Sequence, residues 1–203
     1  MARTYDMTNR ARRAAQTTER IVTSTEGLLA SGPLADVTLP AIAEGAGVTV
    51  QTVLRHMGSR DGCLHAVGER VARRVEAQRG ASRPGDVEGA ICSLVAHYEA
   101  EGRLVLNLLA QEHDGETVAR EGVERGRTYH RAWAMRVFGL GPCAADRVRV
   151  DALVAATDLY VWKLLRLDLR RSVATTEATM VRLARGVMAD GTTQAPPTLE
   201  ERE

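Results

Sequence analysis

Apolar residues recur at helical spacing along most of this 203-residue chain, and nowhere do they alternate with polar ones over the length of a strand. No Asn-Gly or Asp-Gly hairpin signal sits between β-branched runs. A chain patterned in this way buries its apolar side chains as stripes on helices, so the fold class is all-α. Glycine and proline punctuation divides it into about nine helices. They are expected over residues 8 or 10 to 31, 38–46, 49–57, 59–78, 86–101, 103–113, 116–139, 145–170 and 175–189. The tail, residues 191–203, has few apolar side chains and two adjacent prolines, and is expected to be disordered.

At 22.0 kDa the chain is long enough to bury about 70% of its unfolded surface. Lys and Arg total 27 against 26 Asp and Glu, a formal charge of +1, which excludes a polybasic coat and whole-chain disorder. The balance is uneven, however. Residues 1–80 hold eleven arginines and eight acidic side chains, so the basic excess lies N-terminally. Six of the seven aromatics lie beyond residue 90, which gives the two ends different work. Cys63, Cys92 and Cys143 are odd in number, with no C-x-x-C pair, as expected of a chain in a reducing cytosol. No signal-peptide pattern opens the chain and no apolar stretch approaches a bilayer span, so the expected location is cytoplasmic, with no membrane partner.

The informative stretch is residues 38–62, TLPAIAEGAGVTVQTVLRHMGSRDG. Two short helices joined by a tight turn need a small residue where their backbones approach. They also need a glycine able to reach positive φ in the turn, and a branched apolar residue that locks the second helix to the first. Ala43, Gly47 and Val53 meet these demands at offsets of four and six, and Thr38 and Thr49 stand where N-caps belong. Pro40 falls in a first turn, where its missing N–H does no harm. The reading is a helix-turn-helix, residues 49–56 being the helix that enters a major groove. An ordinary αα-corner is the competing reading.

This segment resembles the DNA-binding domain of the TetR family of transcriptional regulators. The family pattern runs from an N-cap Thr through I-A-x-x-A-G-V-[ST] to a Tyr-x-His-Phe cluster and a basic residue opening the fourth helix. Thr38, Ile42-Ala43, Ala46-Gly47-Val48-Thr49, His56 and Arg60 match in place, and the likeness covers about residues 12–67. Leu54 stands where the family has a tyrosine that donates to a phosphate, and Met57 replaces a core phenylalanine. The resemblance implies a helix-turn-helix DNA-binding domain over 8–60 and a helical effector-binding and dimerisation domain over 61–190, linked by helix 60–78. The expected DNA-contacting residues are Thr38, Thr49, Val50, Gln51, Thr52, Arg55, His56 and Arg60. Gln51 is the best base reader, since its amide can pair with adenine in bidentate fashion, and Arg60 is a phosphate contact by resemblance.

The resemblance further implies that the C-terminal domain holds an effector pocket and a dimer interface. Polar groups among aromatic walls suit a small organic effector, and His97, Tyr98, Glu101, Asn107, His130, Trp133, Asp158 and Trp162 are the candidates. Helices over 145–170 and 175–189 carry broad apolar stripes, with Val154, Val161, Leu165, Met180, Leu183 and Val187 assigned to the homodimer interface. Core filling within one chain is the competing reading for both sets.

Searches for H-E-x-x-H, G-x-S-x-G, Walker and G-x-G-x-x-G patterns are negative, and no histidine has a glutamate three positions before it. No catalytic constellation, metal site or cofactor is therefore expected, and an enzyme is not. The function expected is a TetR-like, homodimeric regulator, a repressor released from a palindromic operator on double-stranded DNA by a small-molecule effector. The alternative is a ligand-binding or protein-interaction helical module whose helix-turn-helix no longer engages DNA.

Overall fold

The computed structural model describes residues 2–112, 117–141, 143 and 146–190, the side chains of residues 2–8 and of 190 apart. The tail expectation for 191–203 lies outside these residues. The fold is all-α, with no strand among the described residues. Helix α1 spans Ala2–Ser31, and a single 3₁₀ turn, Leu34–Asp36, leads into α2 (Leu39–Ala46) and α3 (Val50–Met57). The longer helices α4 (Arg60–Arg79), α5 (Val87–Ala110) and α6 (Thr117–Phe138) follow, then α7 (Arg147–Ala156), α8 (Leu159–Lys163) and α9 (Val173–Asp190).

Three boundaries differ from the sequence expectation. The helices expected over 86–101 and 103–113 are one helix, α5, with Gly102 buried inside it. A lone interior glycine costs a helix about 1 kcal/mol, too little to end one that is packed along its length. The helix expected over 145–170 is cut at Thr157. Asp158 is extended there (φ −70°, ψ 153°) and its carboxylate accepts from the Tyr160 N–H at 2.8 Å, an N-cap hidden inside an apolar stripe. One π-type turn, Leu164–Asp168, follows α8. Helix α1 also starts several residues earlier than expected.

The chain divides into two compact units, Met1–Ala77 with Glu99–Arg127, and Gln78–Tyr98 with Thr128–Glu203. The first carries α1 to α3. Its core is continuous from Ile21 and Leu29 on α1 through Leu34 and Val37 to Ile42, Val53 and Val67, with Leu104 and Ala119 packed in from α5 and α6. Helix α5 also satisfies the end of α1. The Asn107 amide donates to the carbonyls of Leu29 (3.0 Å) and Ala30 (3.4 Å), and Gln111 accepts from the Leu34 N–H at 2.7 Å. These are last-turn carbonyls that no helical N–H can reach.

Charges on α1 and α4 interlock. Arg70 bonds Glu19 at 2.7 Å and Glu26 at 3.2 Å, and Arg74 bonds both Glu26 and the buried Glu101, the latter at 3.0 Å. Burial pushes the Glu101 carboxyl up, against the pull of Arg74.

The second unit packs Ile91, Leu94, Val95, Trp133, Val137, Leu153 and Met180, each fully or almost fully buried. Among the described residues no helix is long and apolar enough to cross a membrane.

Gly47 ends α2 in the left-handed region, at φ 62° and ψ 42°, with its N–H and that of Val48 turned back onto the last-turn carbonyls. Gly47→Ala forces a Cβ into that conformation and is expected to lower stability by about 1–2 kcal/mol. Urea unfolding of the full chain checks this; an unchanged midpoint would show that the turn imposes no such constraint.

Candidate nucleic-acid interface and a buried polar cluster

The turn geometry that Gly47 permits is continued by Thr49. It is extended (φ −85°, ψ 155°), its hydroxyl accepts from the Thr52 N–H at 3.2 Å, and α3 starts there. Thr38 begins α2 in the same way, accepting from Ala41 at 3.3 Å. Two capped helices around one left-handed glycine leave α3 with a buried edge at Val53 and an outward edge at Gln51 and Arg55, both exposed. Those two residues are one turn apart on the same face.

The eight residues expected at DNA fall into three groups. Gln51 and Arg55 are exposed, and among the described residues Arg55 has no acidic partner. Thr38 and Thr49 are exposed but spend their hydroxyls as caps, and the Thr52 hydroxyl is held by Thr49 at 3.0 Å. The remainder are built into the unit. Val50 packs against the core, and the His56 ring shares a 3.0 Å hydrogen bond with the Thr18 hydroxyl, tying α3 to α1. Arg60 donates from Nε to the Val37 carbonyl at 2.8 Å and from a terminal nitrogen to the Leu34 carbonyl at 2.7 Å, with Asp61 at 3.8 Å. Its guanidinium thereby holds the connection between α1 and α2.

One basic residue missed by the sequence reading belongs with the exposed pair. Arg20 on α1 is exposed, and its guanidinium lies 3.7 Å from where a Cβ on Gly47 would stand, beside the helix-turn-helix bend. Arg10 and Arg13 precede it at helical spacing, and both are exposed. The signal was a spacing of three, seven and ten residues along α1 among the arginines of the basic N-terminal part.

The residues expected at an effector pocket separate. Glu101 and Asn107 belong to the first unit and are engaged with Arg74 and with the end of α1. Asp158 caps α8. His97, Tyr98, His130, Trp133 and Trp162 are all buried in the second unit. His130 stacks on Trp133 at 5.5 Å between centroids, and Tyr98 packs against both His97 and Trp162.

The sequence reading left out the residue at the centre of this cluster. Arg79 is only 3% exposed, its guanidinium lies 4.4 Å from the Trp133 ring centroid and 5.3 Å from that of Tyr129, and it bonds His130 Nδ1 at 2.8 Å. His130 Nε2 lies 3.1 Å from the Thr157 hydroxyl, which donates to the Leu153 carbonyl at 2.6 Å, and the Tyr98 hydroxyl donates to the Thr157 carbonyl at 3.0 Å. With Nδ1 accepting from an arginine, the imidazole is neutral. Burial first, and Arg79 second, lower its pKa to about 3. Burial likewise lowers Arg79 and raises Tyr98.

Of the residues assigned to a dimer interface, Met180 and Leu165 are buried within their own unit, and Val154, Val161 and Val187 are half-buried. Leu183 is 44% exposed, and α8, α9 and the turn between them also expose Tyr160, Leu164, Leu169 and Val173.

The profile of bacterial regulatory proteins, tetR family, matches residues 21–67, the segment from the middle of α1 into α4. No curated protein matches the chain by sequence. Among solved structures, a transcriptional regulator from Rhodococcus sp. RHA1 superposes with a TM-score of 0.68 at 15% identity, over 88% of this chain and 99% of that one. A TetR transcriptional regulator from the same organism gives 0.54 at 16% identity, over 86% and 97%. At such identities the likeness is one of fold.

Two outcomes are expected from this geometry. Arg60→Ala removes charge-assisted bonds to two carbonyls and should lower the unfolding free energy by about 2–4 kcal/mol; chemical denaturation that shows no loss would return Arg60 to a purely DNA-facing role. His130, with a pKa near 3 folded and about 6.5 unfolded, takes up a proton only on unfolding between those values. Its contribution to stability is whole above about pH 6.5 and drains as the pH falls, by about 1.4 kcal/mol per unit. His130→Asn should flatten the acid limb of the stability curve by about one proton. An imidazole that titrates near pH 6.5 in NMR spectra of the native chain would contradict this.

Proposed function

We propose that this chain, which belongs to the tetR family of bacterial regulatory proteins through the DNA-binding domain matched over residues 21–67, is a homodimeric transcriptional repressor released from its operator by a small organic molecule. The observation that carries the proposal is the exposed Gln51–Arg55 edge of α3, held outward by the left-handed turn at Gly47. An α-helix fits the major groove, and the side chains near its N-terminus meet base edges there. Gln51 supplies the acceptor and donor pair that matches adenine, and Arg55 suits guanine or a neighbouring phosphate. Arg10, Arg13 and Arg20, aligned along α1, suit phosphate contacts that fix register without reading sequence.

One recognition helix contacts too few bases for selective binding in a genome. Two copies related by a two-fold axis double the readout and demand half-sites about 34–36 Å apart, or a multiple of that. The exposed apolar side chains on α8, α9 and the turn between them, Leu164 and Leu183 among them, support pairing of two chains. Release by an effector requires a ligand that prefers the DNA-incompetent shape of the dimer, because equal affinity for two shapes shifts nothing. The buried aromatic side chains of the second unit, Trp133 and Trp162 among them, are of the kind that suits an organic ligand.

A second reading is a ligand- or protein-binding module whose helix-turn-helix no longer grips DNA. It is favoured by one observation: Arg60 is engaged with the Leu34 and Val37 carbonyls, while Leu54 supplies no hydroxyl for a phosphate.

Fluorescence anisotropy with the DNA upstream of the coding region separates the two, and palindrome-dependent, salt-sensitive binding is expected. Gln51→Ala should cost about 1–3 kcal/mol and relax one base position. Arg20→Ala should weaken all sequences alike and reduce the salt slope by about 1. The absence of any specific complex at low salt would favour the second reading.

A further inference from the structure

The buried cluster around Arg79 is unbalanced in a particular direction. Arg79 is enclosed in the second unit, yet no carboxylate is paired with it among the described residues; its neighbours are two aromatic faces and a neutral imidazole. Arg136, itself exposed, donates to the Arg79 backbone carbonyl at 3.2 Å and adds a second positive charge. Cation–π contact and one hydrogen bond offset only part of the cost of burying a guanidinium, whose five N–H donors need acceptors.

Four buried polar atoms of this unit that lack a hydrogen-bond partner can each donate, the two hydroxyls among them also being able to accept. They are Arg79 Nε, the Trp133 indole Nε1, the Tyr129 hydroxyl and the Ser82 hydroxyl, all buried. Four donor-bearing groups, one of them cationic, thus belong to one unit, and among the described residues no carboxylate pairs with the cation. Buried polar groups in native proteins are satisfied almost without exception, so a buried cation with no counter-charge, beside unpartnered groups that can donate, is complementary to something rich in acceptors and negatively charged.

We infer that Arg79, with Tyr129, Trp133 and Ser82, forms the recognition site for a monoanionic carboxylate on a flat, largely apolar body. The inference rests on the effector reading above and gives that effector its chemical class. The enclosed guanidinium of Arg79 presents a two-pronged donor edge that matches the two oxygens and single charge of a carboxylate; Arg136 is exposed, so a dianionic phosphate would have only one of its charges met by an enclosed cation. The rings of Trp133, Tyr129 and Tyr98 now pack on His130, Arg79 and Trp162, and would supply stacking area for the body of such an acid once those contacts open. Because Arg79 is sealed, the acid enters only as the surrounding side chains part, which couples occupancy to the packing of the whole unit.

The test uses the full chain and a matched pair of probes, 1-naphthoate and uncharged 1-naphthamide, read by quenching of tryptophan fluorescence. Naphthoate should bind saturably, one per chain, and at least tenfold more tightly than naphthamide. Arg79→Met, which replaces the cation by an apolar side chain of similar length and is checked for folding by far-UV circular dichroism, should bind the two probes alike. Equal affinity of the two probes for the wild-type chain overturns the proposal, as does a failure of both to saturate, and neither result depends on the variant folding. A variant that keeps the charge preference overturns it as well. Anisotropy of bound operator DNA is recorded in parallel: charge-selective binding that leaves DNA affinity unchanged supports the site and removes only its regulatory role.

Discussion

One backbone residue in the left-handed region sets the direction of the proposed recognition edge on α3. Gly47 ends α2 with its own N–H and that of Val48 folded back, and two residues later Thr49 opens α3. The chain therefore turns from α2 to α3 within three residues, and Val53 joins Ile42 and Ala43 in one core. With Val53 fully buried, the 3.6-residue period leaves Gln51 and Arg55 outside. Packing and exposure on α3 are thus two consequences of one turn.

The surrounding structure holds that turn in place from both ends. Arg60 clamps the 3₁₀ turn before α2, His56 ties α3 to Thr18, and Asn107 and Gln111 close the end of α1. Each of these contacts joins residues far apart in the chain. That is why α2 and α3, eight residues apiece and too short to be stable as isolated helices, are fixed in one geometry.

The same distinction explains what could be read from the sequence. Caps, the turn glycine and the apolar stripes are local signals, so the helix-turn-helix and the all-α class were legible in residues 38–62. Asp158 shows the limit of that legibility, because a single capping carboxylate inside an apolar run outweighed the periodicity around it. Roles fixed by distant partners were not legible. Arg60 looks like a surface cation until the Val37 carbonyl is brought to it, and Asn107 and Glu101 look like pocket residues until α1 and Arg74 engage them. Arg79 left no sequence signal, since an arginine at the end of a polar helix is ordinarily solvated. Only the fold encloses it between Tyr129 and Trp133.

The two units carry polar features of opposite character, an outward edge proposed to meet base edges and phosphates, and an inward cation with no carboxylate paired to it among the described residues. Photo-crosslinking from position 51 tests the first of these, on which the regulatory account stands. With a benzophenone side chain there, and a control at exposed Glu44, the account predicts crosslinks to upstream DNA from position 51 at two sites one helical turn apart or a multiple of it. Crosslinking of position 51 to no base, or no better than position 44, would contradict it.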